Sequence, residues 1–298
     1  MDGQRLTDSL RNRFKAQGIG TQETWIRFAI ERLTVRLVAA DEEERLLVKG
    51  GMLWWLKAAL REHARPTTDL DVHVHAKDGH VLSSEEVGDL FRTAATHVQV
   101  NDGCTFEIKR THPLRHTEDH EGLRVHVRCR IGKTAIDFHV DVGFGGRRPS
   151  WATKVKFDSM HPELEGVTIL AYPLEYMVAD KVHSIWKHAE KNTRVKDFND
   201  LFVLASMPLD EDRLAEAVRV VFEDHDVAVP ESVDALPGLG AAYAIRMQAD
   251  WQEWTVRANR AHAMPADFRV VVGRVREIAA RALEAGHGYA PPAPRFAA

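Results

Sequence analysis

The sequence predicts an α+β fold, in which helices at both ends of the chain flank a central group of strands. Apolar residues recur at helical spacing between residues 5 and 39 and through much of the region after residue 174. Between these regions, several stretches alternate apolar and polar residues, as strands with one buried face do. The chain has 298 residues, a length that can bury a substantial core. Its composition, 44% hydrophobic and 28% charged, is that of a globular protein.

The elements before residue 145 follow from these periodicities. Two helices are predicted within residues 5–39, separated at Gly18-Ile19-Gly20. The strand Leu46-Leu47-Val48 leads into Gly50-Gly51, and a helix is predicted from Met52 to His63, ended by Pro66. A further helix is predicted at residues 85–98, and strands at 69–75, 104–110, 123–129 and 135–144.

The second half of the chain is predicted to be helical. One helix runs from Leu174 to about Ala189 and another from about Lys196 to Ser206, and residues 209–286 are mostly helical with a loop at 229–240. The resulting organisation is N-terminal helices at 1–45, a core at 46–170, a C-terminal helical domain at 171–286 and a tail at 287–298. Glycine, proline and alanine dominate the tail, so we expect it to be disordered.

Composition narrows the class of protein. The formal net charge of -4 argues against a protein that coats nucleic acid generally. The two cysteines, Cys104 and Cys129, do not make a disulfide framework, so we expect a reducing cytoplasm. Since no stretch approaches the roughly 18 apolar residues of a membrane span, we expect no membrane association.

Asp69 and Asp71 are the first candidate catalytic residues. Because they are two apart on a predicted strand, both carboxylates project from one face, about 6 to 7 Å apart. Such a pair can hold two divalent metal ions for in-line displacement at phosphorus. The alternative is a pair of solvated acids on an exposed strand face.

Gly50-Gly51 precedes a predicted helix, where free backbone N–H groups and the helix dipole favour a phosphate. Glycine also lets a ligand approach the backbone closely. Taken alone, the pair is more typical of an ordinary tight turn.

A third carboxylate is offered by Asp137 or Asp141, which share one face of the last predicted strand of the core. Either could accept a proton from an attacking hydroxyl, or either could be solvated. His73, His75 and His139 lie on the same polar faces, so a transition-metal site is an alternative. Carboxylates that face phosphates favour magnesium instead.

Lys181 is the informative residue of the second half. Its helical neighbours three and four positions away include no acid, so its charge requires an anion from elsewhere. That anion could be a nucleotide phosphate or a distant acid, or the side chain could reach solvent. Asp197 either is an ordinary first-turn acid of the next helix or holds Lys181 in place.

Several short motifs occur together and in order over most of residues 5–205: Glu31-Arg32-Leu33 with Arg36-Leu37, Val48-Lys49-Gly50-Gly51-Met52-Leu53, Arg65-Pro66-Thr67-Thr68-Asp69-Leu70-Asp71, Val140-Asp141-Val142-Gly143-Phe144-Gly145, Pro173-Leu174-Glu175 with Asp180-Lys181, and Arg194-Val195-Lys196-Asp197-Phe198-Asn199-Asp200-Leu201. They resemble the motifs of the AbiEii/AbiGii toxin family, whose members are nucleotidyltransferase-like toxins. The C-terminal helices resemble the family only in general character.

The resemblance implies a DNA polymerase β-type nucleotidyltransferase core, magnesium, a nucleoside triphosphate donor and a cognate antitoxin. For its MenT branch it implies addition of nucleotides to the 3′ end of tRNA, which blocks aminoacylation and translation.

Carried over by motif, the resemblance gives roles to individual residues. Metal binding is expected of Asp69, Asp71 and Asp141, triphosphate binding of Lys181, and an essential role of Asp197. Nucleotide contacts are expected along the motifs, at Lys49, Gly50, Gly51, Thr67 and Thr68. Met52 departs from the family, because many nucleotidyltransferases carry serine or threonine there, and Thr67 or Thr68 could supply the missing hydroxyl.

These observations predict a cytoplasmic, magnesium-dependent nucleotidyltransferase toxin acting on tRNA. Two alternatives stay open: the same enzyme with a protein or small-molecule acceptor, and a nucleotide-binding module without turnover.

Overall fold

The computed structural model describes residues 2–16, 21–96, 100–116, 120–145 and 148–288. The expected break at 18–20 and residues 289–298 of the expected disordered tail lie outside these ranges. The chain forms two compact units, Met1–Tyr172 and Pro173–Ala298. The first contains the N-terminal helices together with the strands.

The first unit combines helices with a mixed sheet. Its helices are α1 (Gly3–Ala16), α2 (Thr21–Ala40), α3 (Leu53–Leu56) and α4 (Ser84–Thr96), and its strands are β1 (Leu46–Lys49), β2 (Asp69–Val74), β3 (Cys104–His116), β4 (His120–Ile131), β5 (Thr134–Phe144), β6 (Thr153–Phe157) and β7 (Val167–Ala171). The predicted α+β class is confirmed.

The strands form one sheet of seven in the order β3-β4-β5-β2-β1-β7-β6. The pairs β2–β5 and β1–β7 are parallel, and the other pairs are antiparallel. The strands β6 and β7 were not predicted, although β7 is the neighbour of β1. Both are five residues long, too short for alternation to stand out.

One face of the β4–β5 part of the sheet belongs to the core. Val125, Val127, Val140 and Val142 are at most 1% exposed, while the residues between them are half-buried or exposed. The sheet therefore has one apolar face and one polar face, as the alternation predicts.

The helix predicted from Met52 to His63 is not continuous. A 3-10 turn at Gly50–Met52 leads into the single α-turn α3, Lys57 is extended, and a second 3-10 segment covers Ala58–His63. Tertiary contacts compete with helix here: Trp55 Nε1 donates to the carbonyl of Arg65 at 3.3 Å. Because α3 is one turn long, the predicted helix N-terminus after Gly51 supplies little dipole for an anion.

The second unit is helical in all its described regular elements. Its α-helices are α5 (Leu174–His188), α6 (Val195–Leu204), α7 (Glu211–Asp224), α8 (Ala241–Arg246), α9 (Gln248–Arg257) and α10 (Phe268–Gly288). The loop predicted at 229–240 contains only two 3-10 turns. In the part of the chain that the structure describes, none of the helices has the length and apolarity that crossing a membrane requires.

Candidate active site

The acidic residues of the first unit meet on the polar face of the sheet. In the parallel β2–β5 pair, Asp69 lies opposite His139 and Asp71 lies opposite Asp141. On the other side of β2, Lys49 of β1 lies opposite Asp71. Residues opposite each other on neighbouring strands point to the same face. Sheet pairing thus places three carboxylates and one ammonium group on one surface.

The two glycines after β1 make room for side chains next to the acidic pair. Gly50 has φ +64°, and a Cβ there would collide with Asp71 Oδ2. A Cβ on Gly51 would collide with Thr67 Oγ1. Thr67 Oγ1 in turn donates to Asp69 Oδ1 at 3.0 Å. Glycine is required at both positions because the backbone lies close to two side chains. Asp71 carries one of the carboxylates, and Thr67 orients the other, that of Asp69.

Asp141 and Asp137 are each held by an arginine of β4. Arg124 donates to both oxygens of Asp141 at 2.7 Å, and Arg128 donates to both oxygens of Asp137 at 2.7 and 2.6 Å. The two differ in position, since Asp141 lies beside Asp71 whereas Asp137 is outside the β2 register and 61% exposed. The geometry therefore favours Asp141 as the third carboxylate.

The guanidinium of Arg124 interacts electrostatically with all three carboxylates of the site. Its hydrogen bonds with Asp141 raise the pKa of the guanidinium, burial opposes this effect, and the charges of Asp69 and Asp71 add to the increase. Arg124 therefore offsets part of the negative charge of the three carboxylates.

The acidic pair fits magnesium by its chemistry. Asp69 and Asp71 are half-buried, and Mg²⁺ prefers carboxylate oxygen ligands. Within the described ranges no three His, Cys, Asp or Glu side chains converge as a ready-made metal site, and Asp141 is engaged with Arg124. Asp69 and Asp71 would hold the ion, and Asp141, whose oxygens each keep a lone pair beside the bond from Arg124, could join them.

The predicted histidine alternative is not supported. His139 of β5 lies beside Asp69 of β2, and His73 also belongs to β2. His75 is buried beyond the end of β2. These three imidazoles do not form a metal-binding group among the described residues.

Thr68, proposed as a nucleotide contact, is exposed next to the buried Thr67.

Lys181 in the second unit lies between two buried carboxylates. Its Nζ is 2.8 Å from Asp197 Oδ1 and 2.8 Å from Asp200 Oδ2. The lysine side chain is 14% exposed, while those of the two acids are at most 2% exposed. Of the two alternatives for Asp197, the contact with Lys181 is therefore present, and Asp200 is a second partner that was not among the candidate residues.

Asp197 is kept ionised by cations on two sides. Burial would raise the pKa of its carboxyl, but the charges of Lys181 and Arg194, with their hydrogen bonds, lower it well below its usual range. Arg194 Nε donates to Asp197 Oδ2 at 2.7 Å. The acid thus acts as a bridge between the lysine of α5 and the N-terminus of α6.

Two functional candidates escaped sequence reasoning. Arg124 alternates with the apolar residues of β4, so its face was predictable, but its contact with Asp141 depends on which strands are neighbours. Asp200 stands three residues after Asp197 on α6, and that spacing places both acids on one helix face. The spacing was the available signal.

Known proteins were compared with the chain. A family model described as "Nucleotidyl transferase AbiEii toxin, Type IV TA system" matches residues 32–274. The MenT4 nucleotidyltransferase toxin of Mycobacterium tuberculosis is similar in structure, with TM-score 0.48 and 19% identity, covering 96% of this chain and 99% of that one. JHP933 of Helicobacter pylori is similar with TM-score 0.43 and 16% identity, covering 85% and 91%. No curated protein matches. Because the family model spans most of its length, the chain belongs to the AbiEii family of nucleotidyltransferase toxins.

Proposed function

We propose that this chain transfers a nucleotide from a nucleoside triphosphate to the 3′ hydroxyl of tRNA and thereby blocks translation. Membership in the family implies the triphosphate substrate and an antitoxin partner. The observation that carries the proposal is the register of β2 and β5. It places Asp141 beside Asp71, and Asp69 lies two residues before Asp71 on β2. The sheet arrangement is consistent with a DNA polymerase β-type core. The proposed location of the protein is the reducing cytoplasm.

Asp69 and Asp71 are the proposed magnesium ligands. When bound, magnesium supplies positive charge against the phosphates of the donor. Thr67 fixes the rotamer of Asp69 through its hydroxyl, and Gly50 admits Asp71. The residues of the turn therefore hold both carboxylates in place before any substrate arrives.

Asp141 is the proposed acceptor of the proton from the attacking hydroxyl. Both of its oxygens accept hydrogen bonds from Arg124, so the proton would go to a lone pair that these bonds leave open. An incoming phosphate offers the guanidinium an alternative bidentate partner. Arg124 would then move from the acid to the substrate as the site fills.

The test combines transfer in vitro with toxicity in cells. The protein is incubated with magnesium, each labelled triphosphate and total tRNA, and the tRNA 3′ ends are sequenced after inducible expression in a bacterial host. Wild type should label and extend tRNA and arrest growth, and Asp69→Asn should do none of these. Asp89→Asn, which removes an exposed helix acid, is the matched control and should behave as wild type.

Other outcomes identify the alternatives. Label on protein or on a small molecule in place of RNA would replace the acceptor but keep the enzyme. Triphosphate binding without transfer, unchanged by Asp69→Asn, would indicate a binding module and contradict the proposal.

A further inference from the structure

The polar face of the sheet continues from the acidic pair across β5, β4 and β3 as a row of histidines flanked by arginines. We call the histidine row His139 on β5, His126 on β4 and His112 on β3. Register places Asp69 beside His139 and His139 beside His126. The row therefore starts at the candidate active site.

The rings of the row are in contact. His126 Nε2 lies 3.0 Å from His112 Nε2, with ring centroids 4.8 Å apart, and the His126 and His139 centroids are 6.1 Å apart. All three side chains are half-buried. They thus present ring surface to solvent while their neighbours fix their positions.

Two arginines border the row. Arg110 of β3 lies opposite His126, and Arg124 of β4 lies opposite His112. Burial lowers the pKa of His126, and the charge of Arg110, followed by His112, His139 and Arg124, lowers it further. The ring of His126 is therefore suited to stacking as a neutral imidazole, and the guanidinium groups are suited to binding an anion.

A transition metal fits this surface poorly. The His112–His126 contact brings two ring nitrogens together, but the charges of Arg110 and Arg124 beside His126 oppose a cation there. A ligand that combines flat rings with spaced negative charges matches both features. Single-stranded nucleic acid has this chemistry.

The distance from Asp69 to His112, at the far end of the histidine row, also fits. From β2 to β3 is three strand spacings, or about 14 Å, which is about four stacked nucleotides at roughly 3.4 Å each. A small-molecule acceptor would not need a surface of this length. The His139 end of the row lies beside Asp69, where the reacting hydroxyl of the last nucleotide would lie.

We propose that the histidine row, with Arg110 and Arg124, binds the single-stranded 3′ end of the acceptor polynucleotide and guides its terminal hydroxyl to Asp69. This inference rests on the proposed function and deepens it, because it says which surface selects a polynucleotide as acceptor. The imidazoles stack on the bases, and the arginines contact the phosphates.

The test measures binding of a 5′-fluorescent ten-nucleotide RNA ending in CCA by fluorescence anisotropy, with the full chain and no triphosphate. His112→Ala/His126→Ala should weaken binding about 10-fold or more, since stacking contributes roughly 1–3 kcal/mol per base. The matched control, His80→Ala/His262→Ala, removes two exposed histidines elsewhere and should stay within about twofold of wild type.

Two further variants separate stacking from general damage. His126→Phe keeps an aromatic ring and should bind RNA more tightly than His126→Ala. Arg110→Gln should reduce the slope of log affinity against log salt by about 0.7, because one phosphate contact to a single strand is lost. Equal weakening by Ala and Phe, or unchanged RNA affinity in the double variant, overturns the proposal.

The results distinguish this inference from the proposed function. RNA binding that depends on the histidine row, without nucleotide transfer to any acceptor, supports the surface and contradicts the enzyme. Transfer to tRNA with RNA affinity independent of the row supports the enzyme and overturns the surface.

Discussion

Asp71 and Asp141 lie opposite each other on the parallel strands β2 and β5, although they are 70 positions apart in the sequence. The strands between them in the chain, β3 and β4, are placed on the far side of β5. Because parallel neighbours require a crossover, only the folded sheet brings these acids together. The same register leaves Asp137 away from the pair.

This difference gives a matched comparison. Asp141→Asn and Asp137→Asn each remove a carboxylate held by two hydrogen bonds from an arginine of β4. We expect Asp141→Asn to reduce the rate of nucleotide transfer about 100-fold or more, a typical loss for a group that moves a proton. Asp137→Asn should stay within about twofold. Equal losses in single-turnover assays would mean that the β2–β5 register does not decide the role.

Gly50→Ala should displace Asp71. The substitution places a side chain where φ is +64° and where its Cβ would overlap the carboxylate of Asp71. Gly79→Ala is the control, because Gly79 has φ +77° but no atom within 4 Å of the added Cβ. Both variants should lose about 1–2 kcal/mol of unfolding free energy from backbone strain.

Only Gly50→Ala should also weaken Mn²⁺ binding, which can be followed by electron paramagnetic resonance with Mn²⁺ in place of magnesium. If Gly79→Ala weakened it equally, the cause would be strain and not the contact with Asp71.

Alternation along the chain was enough to predict β2 and β5 and the face on which their acids lie. It could not predict what depends on strand order. The pairing of Arg124 with Asp141, and the row from His139 to His112, require β4 to lie beside β5. The false continuous helix after Gly51 has a similar cause, since contacts of Trp55 with distant residues outweigh local helix propensity.

Acid should remove the contribution of Asp197 to stability. Because its pKa is lowered in the folded chain, ionised Asp197 stabilises the fold fully above the unfolded value of about 3.9, and this stabilisation is lost as the pH falls toward the folded value. Asp197→Asn should therefore be less stable at pH 7, and the difference from wild type should shrink between about pH 5 and pH 2. Urea unfolding followed by circular dichroism measures this. A difference that stays constant with pH would contradict the assignment.

Lys181 is expected to combine a structural role with triphosphate binding, and charge-matched variants can separate the two. Lys181→Met leaves the carboxylates of Asp197 and Asp200 buried without their shared cation, which should cost about 3–5 kcal/mol of stability. Adding Asp197→Asn and Asp200→Asn removes the uncompensated charges and should restore much of that loss. Urea unfolding checks both expectations.

The triple variant is then compared with Asp197→Asn/Asp200→Asn, which differs from it only at residue 181. If Lys181 binds the triphosphate, the double variant should bind a labelled triphosphate about 10-fold more tightly, because a hydrogen bond to a charged group contributes roughly 1.5–3 kcal/mol. Equal affinities in the two folded variants would mean that Lys181 serves only to neutralise Asp197 and Asp200.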